Sequence, residues 1–251
     1  IAAAASRRDA REAANSAASA FPRWSQTPDE DRARILNKAA DLLLERADQF
    51  VEVIATEIGG SELWARFNCE LAADIFRHAA RMTGFRRETR REGRDKSVQS
   101  SLVRQPAGVV LGIAPWNAPV VLASRAIAIP LACGNTVVLK AAERCPKTHS
   151  LVIEALIDAG LPEGAANLVT NSPDSVSEIV ETLVKHEAVR RFNFTGSTRV
   201  GRVIAEICAR HLKPVVLELS GKAALIVLED ADLDQAVKAA AFGAFFNQGQ
   251  V

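Results

Sequence analysis

An α/β fold, with a parallel sheet covered by helices on both faces, is the architecture this sequence predicts. From about residue 96 onward, short runs rich in β-branched residues alternate with stretches of helical period. Such alternation produces parallel strands joined by crossover helices. Before that point the chain reads as helices that bury one apolar stripe each. The bulk numbers agree with a sizeable core: 251 residues, of which 48% are hydrophobic and 24% charged, with a net charge of +1. So even a balance offers no field to nucleic acid or to an anionic membrane surface.

Taken in order, residues 7–20 form an Ala-rich amphipathic helix, expected to stop at Phe21-Pro22 because the residue before proline disfavours the helical region. Thr27 reads as the N-cap of the next helix, with Pro28 in its first position and Asp29 and Glu30 in its first turn. The apolar face Ile35, Ala39, Leu42, Leu43, Ala47, Phe50, Ile54, Ile58 predicts one long helix that ends at Gly59-Gly60. Another helix is expected over 61–84. Strands are predicted at 97–103, 108–113, 136–140, 166–169, 189–194, 214–219 and 225–228, with helices at 123–133, 148–159, 175–186, 200–210 and 233–246. The Arg-rich stretch 86–94 is broken by carboxylates and reads as a solvated helix end or loop.

Cys69, Cys133, Cys145 and Cys208 show no CxxC pair and no His at ligand spacing. They read as reduced, mostly buried thiols of a cytoplasmic protein, with no metal site. No run reaches the roughly 18 apolar residues of a membrane helix. The Ala/Ser/Arg-rich start resembles a transit peptide, but Asp9 and Glu12 and its smooth continuation into structure argue against one.

Four stretches have the residue types that chemistry needs. In FNFTGSTRVG, residues 192–201, a strand runs into Gly196 and a helix begins after Ser197. Backbone N–H groups there can face an anion, although a plain tight turn has the same sequence. In GNTVVLKAAE, residues 134–143, a strand delivers Lys140 and Glu143 at its carboxyl end, where open α/β sheets bind ligands. The pair fits a ribose diol, with a carboxylate that repels a 2′-phosphate, and it fits a surface ion pair as well. In APWNAP, residues 114–119, two prolines flank Asn117, whose amide suits a developing oxyanion or a simple turn. In VVLELSGK, residues 215–222, Glu218 sits within an apolar strand. Burial there raises a carboxyl pKa toward that of a general base, and a buried ion pair with Lys222 is the structural alternative.

APWNAP, NTVVLKAAE, FTGSTRVG, LELSGK and FFNQGQV, in this order, resemble the NAD(P)-dependent aldehyde dehydrogenase superfamily from about residue 15 to the end. RQPAGVVLGIAPWNAPV and IPLACGNTVVLKA are most similar to its aromatic-aldehyde members, such as salicylaldehyde and vanillin dehydrogenases. The resemblance implies a Rossmann-like NAD-binding domain over 108–251, an N-terminal helical part over 1–90 and an association hairpin over 91–107. It implies oxidation of an aldehyde, with Asn117 bonding the substrate oxygen and Glu218 activating the hydrolytic water. Cofactor contacts would come from Ile113, Ala114, Pro115, Trp116, Asn117, Lys140, Ala142, Glu143, Phe194, Thr195, Gly196, Ser197, Val200, Glu218, Leu219 and Ser220. NAD rather than NADP is the implied cofactor, and a homodimer or homotetramer the implied assembly.

Departures from the pattern are Ser220 in place of the first glycine of LELGGK and Ala141-Ala142 in place of Pro-Ser in KPSE. The resemblance also implies a nucleophilic cysteine directly after Val251 and a catalytic domain beyond it, so the 251 residues alone are expected to be inactive. The rival expectation is a short, catalytically silent nucleotide-binding or interaction module. A thioester-forming relative that uses coenzyme A is disfavoured by Glu218.

Overall fold

The computed structural model describes residues 2–84, 88–92 and 99–251. Helix α1 (Arg7–Ser25) starts at a reciprocal cap between Ser6 and Asp9 and runs through Pro22, beyond the expected stop. Proline costs its helix one N–H bond, but the last turn is anchored by Trp24. That side chain is fully buried, and its Nε1 donates to the Leu131 carbonyl at 3.2 Å. Thr27 does not cap the next helix; its hydroxyl bonds back to the Arg23 carbonyl, and Pro28 takes the cap position.

The single long helix expected over 28–58 is two helices, α2 (Asp29–Glu45) and α3 (Ala47–Ile58), broken at Arg46. Their apolar stripe keeps one period across the break, so periodicity could not reveal the bend. Arg46 is held there by Asp158, 2.6 Å away, and α3 turns to pack on α4 (Glu62–Met82). The stop at Gly59 is as expected, with the residue in the left-handed conformation, φ +67°.

Strands β1 (Glu88–Glu92) and β2 (Gln99–Val103) pair antiparallel, Glu88 opposite Val103. The reading of 86–94 as helix end or loop is therefore corrected over 88–92, and its remaining positions lie outside the described residues, as do 97 and 98. A strand satisfies by pairing the backbone groups that a loop would have left to water.

The parallel sheet is built from β3 (Val109–Ile113), β4 (Thr136–Lys140), β5 (Ala166–Val169), β6 (Val189–Gly196) and β7 (Val215–Leu219). Their order is β5-β4-β3-β6-β7. The connections include α5 (Pro119–Ala132), α6 (Pro146–Asp158), α7 (Val176–Lys185) and α8 (Thr198–Arg210). Side chains alternate between two cores. Val110, Val137 and Leu139 face α2, α4, α5 and α6, whereas Val109, Leu111, Ile113 and Val138 face α1, α7 and α8. At Gly112 a Cβ would lie 2.9 Å from that of Ala126, so glycine lets α5 settle onto β3.

The strand expected at 225–228 does not form. Leu225, Ile226 and Leu228 are 60–79% exposed. β propensity expresses itself only where a neighbouring strand or core receives the side chains. Helix α9 (Leu233–Phe245) follows as expected. Among the described residues, no helix is long and apolar enough to cross a membrane.

Candidate functional site

Chain order around the sheet reverses at β3: β4 lies on one side of it and β6 on the other. Such a switch point opens a crevice beyond the carboxyl ends of the strands. The registers bring Ile113 level with Lys140 on one side and Phe194 on the other, and Phe194 level with Leu217. The loops after β3, β4, β6 and β7 therefore emerge along one edge. Those loops and strand ends, with the first turn of α8, contain every site residue that the sequence singles out.

After β3, Ile113 and Ala114 are buried and Pro115, Trp116 and Asn117 half-buried. The Arg144 guanidinium lies 4.8 Å from the Trp116 ring centre, a cation–π contact that ties the loop after β4 to the loop after β3. Asn117 is fixed at both ends. Its carbonyl accepts from Trp64 Nε1 at 2.9 Å, and its Nδ2 donates to the Gln250 carbonyl at 2.9 Å. An amide has two N–H bonds, so one still points elsewhere.

After β4, Lys140 is buried and forms an ion pair with Glu143. Asn171 Nδ2 also donates to Glu143 Oε1, at 3.1 Å. Burial pushes the Glu143 carboxyl up, but the hydrogen bond and charge of Lys140, with help from Asn171, bring the net shift below the ordinary carboxylate range. Asn171 Oδ1 is buried without a hydrogen-bond partner among the described residues. An orphaned acceptor beside a carboxylate fits a ligand that brings hydroxyl donors, as a ribose diol does. Ala142 is buried between the pair, and its N–H donates to His149 Nδ1 at 3.2 Å.

At the end of β6, Phe194 is buried, Thr195 and Gly196 are half-buried, and Ser197 caps α8 by accepting from the Val200 N–H at 3.4 Å. Ser197 and Val200 are exposed, so the N-terminus of α8 opens to solvent. A Cβ at Gly201 would lie 2.5 Å from Leu219 Cδ2, and this glycine lets Leu219 rest against α8. These residues fit a dinucleotide, with a diol at Glu143 and an anion near the start of α8.

Glu218 corrects a sequence expectation. It lies with Leu219 on the outer strand of the sheet, just before Ser220, and is exposed, not buried. An edge strand lacks a neighbour on one side, so the apolar residues around Glu218 in sequence do not enclose it in space. It stands two strands from β3, roughly 10 Å.

The chain then returns to Asn117. Phe246–Gly249 form a 3-10 turn in which Asn247, Gln248 and Gly249 have φ of +45°, +55° and +73°. Phe246 packs edge-on to Trp64 at 5.0 Å, and Asn247 Nδ2 donates to the Asn117 carbonyl at 3.3 Å. Sequence reasoning missed Trp64, Asn171 and His149 as parts of this site, because only folding brings them to it.

Cys69, Cys145 and Cys208 are buried as expected and Cys133 is exposed, yet loss of water around the sulfur raises the pKa of all four. Cys69 is pushed up to about 12, Cys145 is raised strongly, and Cys133 and Cys208 less so. A thiol held protonated is a poor nucleophile.

The chain is 55% identical over 255 residues to vanillin dehydrogenase of Pseudomonas sp. strain HR199, an alignment that covers 99% of this chain and 52% of that protein. It superimposes on a salicylaldehyde dehydrogenase from Pseudomonas putida G7, solved with salicylaldehyde, at TM-score 0.97 and 46% identity, covering 99% of this chain and 51% of the other. An NAD-dependent benzaldehyde dehydrogenase from Corynebacterium glutamicum superimposes at 0.94 and 36% identity, covering 100% and 53%. The chain thus spans about half the length of the curated relatives it matches. Fold, motif order and a match to the aldehyde dehydrogenase family over residues 2–251 coincide, and the chain belongs to that family.

Proposed function

We propose that the protein containing this chain oxidises an aromatic aldehyde to the carboxylic acid with NAD, and that this chain supplies the cofactor site and the oxyanion donor. The observation that supports this most directly is Asn117, fixed by Trp64 and Gln250 at the switch point between β3 and β6. The free N–H of its amide is aimed by neighbours rather than by substrate, so little reorganisation remains when charge develops on the aldehyde oxygen. Bound NAD would accept the hydride. Lys140 and Glu143 would hold its adenosine ribose, and the Glu143 carboxylate would repel a 2′-phosphate, which favours NAD over NADP. Trp116, Phe194, Ser197, Val200 and Leu219 would line the cofactor.

The nucleophile would be a cysteine following Val251, since the four thiols present are held protonated. Glu218 would take a proton from the water that releases the acid, reached across the open edge of the sheet. The β1–β2 pair would join subunits in a dimer or tetramer, and free thiols suit the cytoplasm.

The test is aldehyde-dependent NADH formation by the full-length protein with Glu218→Gln beside it. The variant should keep the first burst of NADH and slow steady turnover. An unchanged steady rate removes Glu218 from its role, and absence of both NADH formation and calorimetric NAD binding in the parent refutes the function.

A further inference from the structure

We propose that Asn171 selects the cofactor: it fixes the Glu143 carboxylate from the neighbouring strand, and through that carboxylate the site takes the ribose of NAD and rejects the 2′-phosphate of NADP. The inference rests on the ribose role proposed above for Lys140 and Glu143 and assigns the residue that enforces it.

The sheet brings Asn171 to this place. Val169 pairs with Lys140 across β5 and β4, and the Ala141 N–H donates to the Val169 carbonyl at 2.9 Å. Two residues further on, Asn171 stands beside the turn that bears Glu143. The residue is 9% exposed, and both N–H bonds of its amide are used. Nδ2 donates to Glu143 Oε1 at 3.1 Å and to the Ser172 carbonyl at 2.8 Å. Neither partner has a hydrogen to give, so the amide cannot be turned over. Its Oδ1 is buried without a partner among the described residues.

Chemistry makes this an unusual choice for mere filling. Leucine has a similar size and would occupy the space without burying an orphaned acceptor. What leucine lacks is a donor, and the donor is directed at Glu143. Lys140, buried on β4, binds the same oxygen, Oε1. No side-chain donor is found at Oε2 among the described residues, so that oxygen is the one left for a ribose hydroxyl. With Lys140 as its only side-chain anchor, Glu143 would be free to swing aside, its side chain being 28% exposed against 4% for Lys140. The lysine would then meet a 2′-phosphate with its charge unopposed, and the bar to NADP would go. A second anchor, from a different strand, removes that freedom. Asn171 acts through Glu143 and is therefore a positioning residue.

The ratio of NADP to NAD dissociation constants reads this role, measured by calorimetry on the full-length protein. Asn171→Leu keeps the volume and deletes the donor; Asn171→Ala deletes both. Each should weaken NAD about fivefold, the worth of one hydrogen bond of roughly 1 kcal/mol, and leave NADP unchanged or bound more tightly. The ratio should thus fall at least fivefold in both. In a Glu143→Gln background, Asn171→Leu should move the ratio by less than twofold, because the group it acts through has lost its charge.

A role in packing alone would weaken both cofactors by the same factor, with Asn171→Leu restoring what Asn171→Ala loses, and that result overturns the inference. A fall in the ratio that persists undiminished in the Glu143→Gln background overturns it too, since Asn171 would then act without Glu143. A wild type that prefers NAD, with variants that keep its ratio, refutes this inference alone. A wild type that binds both cofactors equally well, or neither, refutes the cofactor reading and this inference with it.

Discussion

Lowering the pH from 7 to 5 should destabilise the protein through His149 before its carboxylates begin to titrate. The ring is fully buried, and its pKa falls from 6.5 to about 4, chiefly because burial penalises the cation and secondarily because Lys140 is near. A depressed folded-state pKa means the unfolded chain binds the proton first. The stabilisation is therefore complete above pH 6.5 and is lost as pH falls toward about 4. At about 1.4 kcal/mol per pKa unit, the full effect is roughly 3 kcal/mol, of which about 2 disappear between pH 7 and 5. Urea unfolding reads this directly: with a slope of about 2–3 kcal/mol/M, the midpoint should fall by about 0.7–1 M over that interval. His186 is also depressed by partial burial and adds to the same window, so the comparison that isolates His149 is with His149→Asn. That variant should show a much shallower fall. Parallel curves for the two proteins would refute the burial argument.

Two glycines offer a contrast between rigid and yielding neighbours. Gly112→Ala drives a methyl against the Ala126 Cβ at 2.9 Å on a helix that cannot retreat, and should cost about 1–3 kcal/mol by thermal or urea unfolding. Gly201→Ala meets only the mobile end of Leu219, at 2.5 Å, so stability should hardly change while displacement of Leu219 weakens NAD binding severalfold by calorimetry. Trp64→Phe keeps the ring beside Phe246 but deletes the donor to the Asn117 carbonyl; stability should drop by about 1 kcal/mol, with slower aldehyde turnover and NAD affinity unchanged. Arg32→Met strips the buried guanidinium from the Ala132 carbonyl and from Asp29, and thermal unfolding should report a loss of roughly 2–4 kcal/mol.

By itself the sequence determined the elements of the sheet and its helices, because alternation and helical period are local properties. Thr136–Lys140 and Ala166–Val169 emerge with the bounds expected of them, and Lys140, Glu143 and Asn117 fall at strand ends as the motifs imply. Tertiary structure decided wherever an outcome depended on a distant partner. Trp24 carries α1 past Pro22 by reaching Leu131, and Arg46 breaks a helix whose apolar stripe does not. Leu225–Leu228 have strand-forming residues but no strand beside them, and Glu218, apolar on both sides in sequence, is open to solvent at a sheet edge. Burial is a property of neighbours in space, and so are the contacts that Trp64, Asn171 and His149 make with the site. A pattern along the chain reports which face a residue offers. Only the folded chain reports whether anything meets that face.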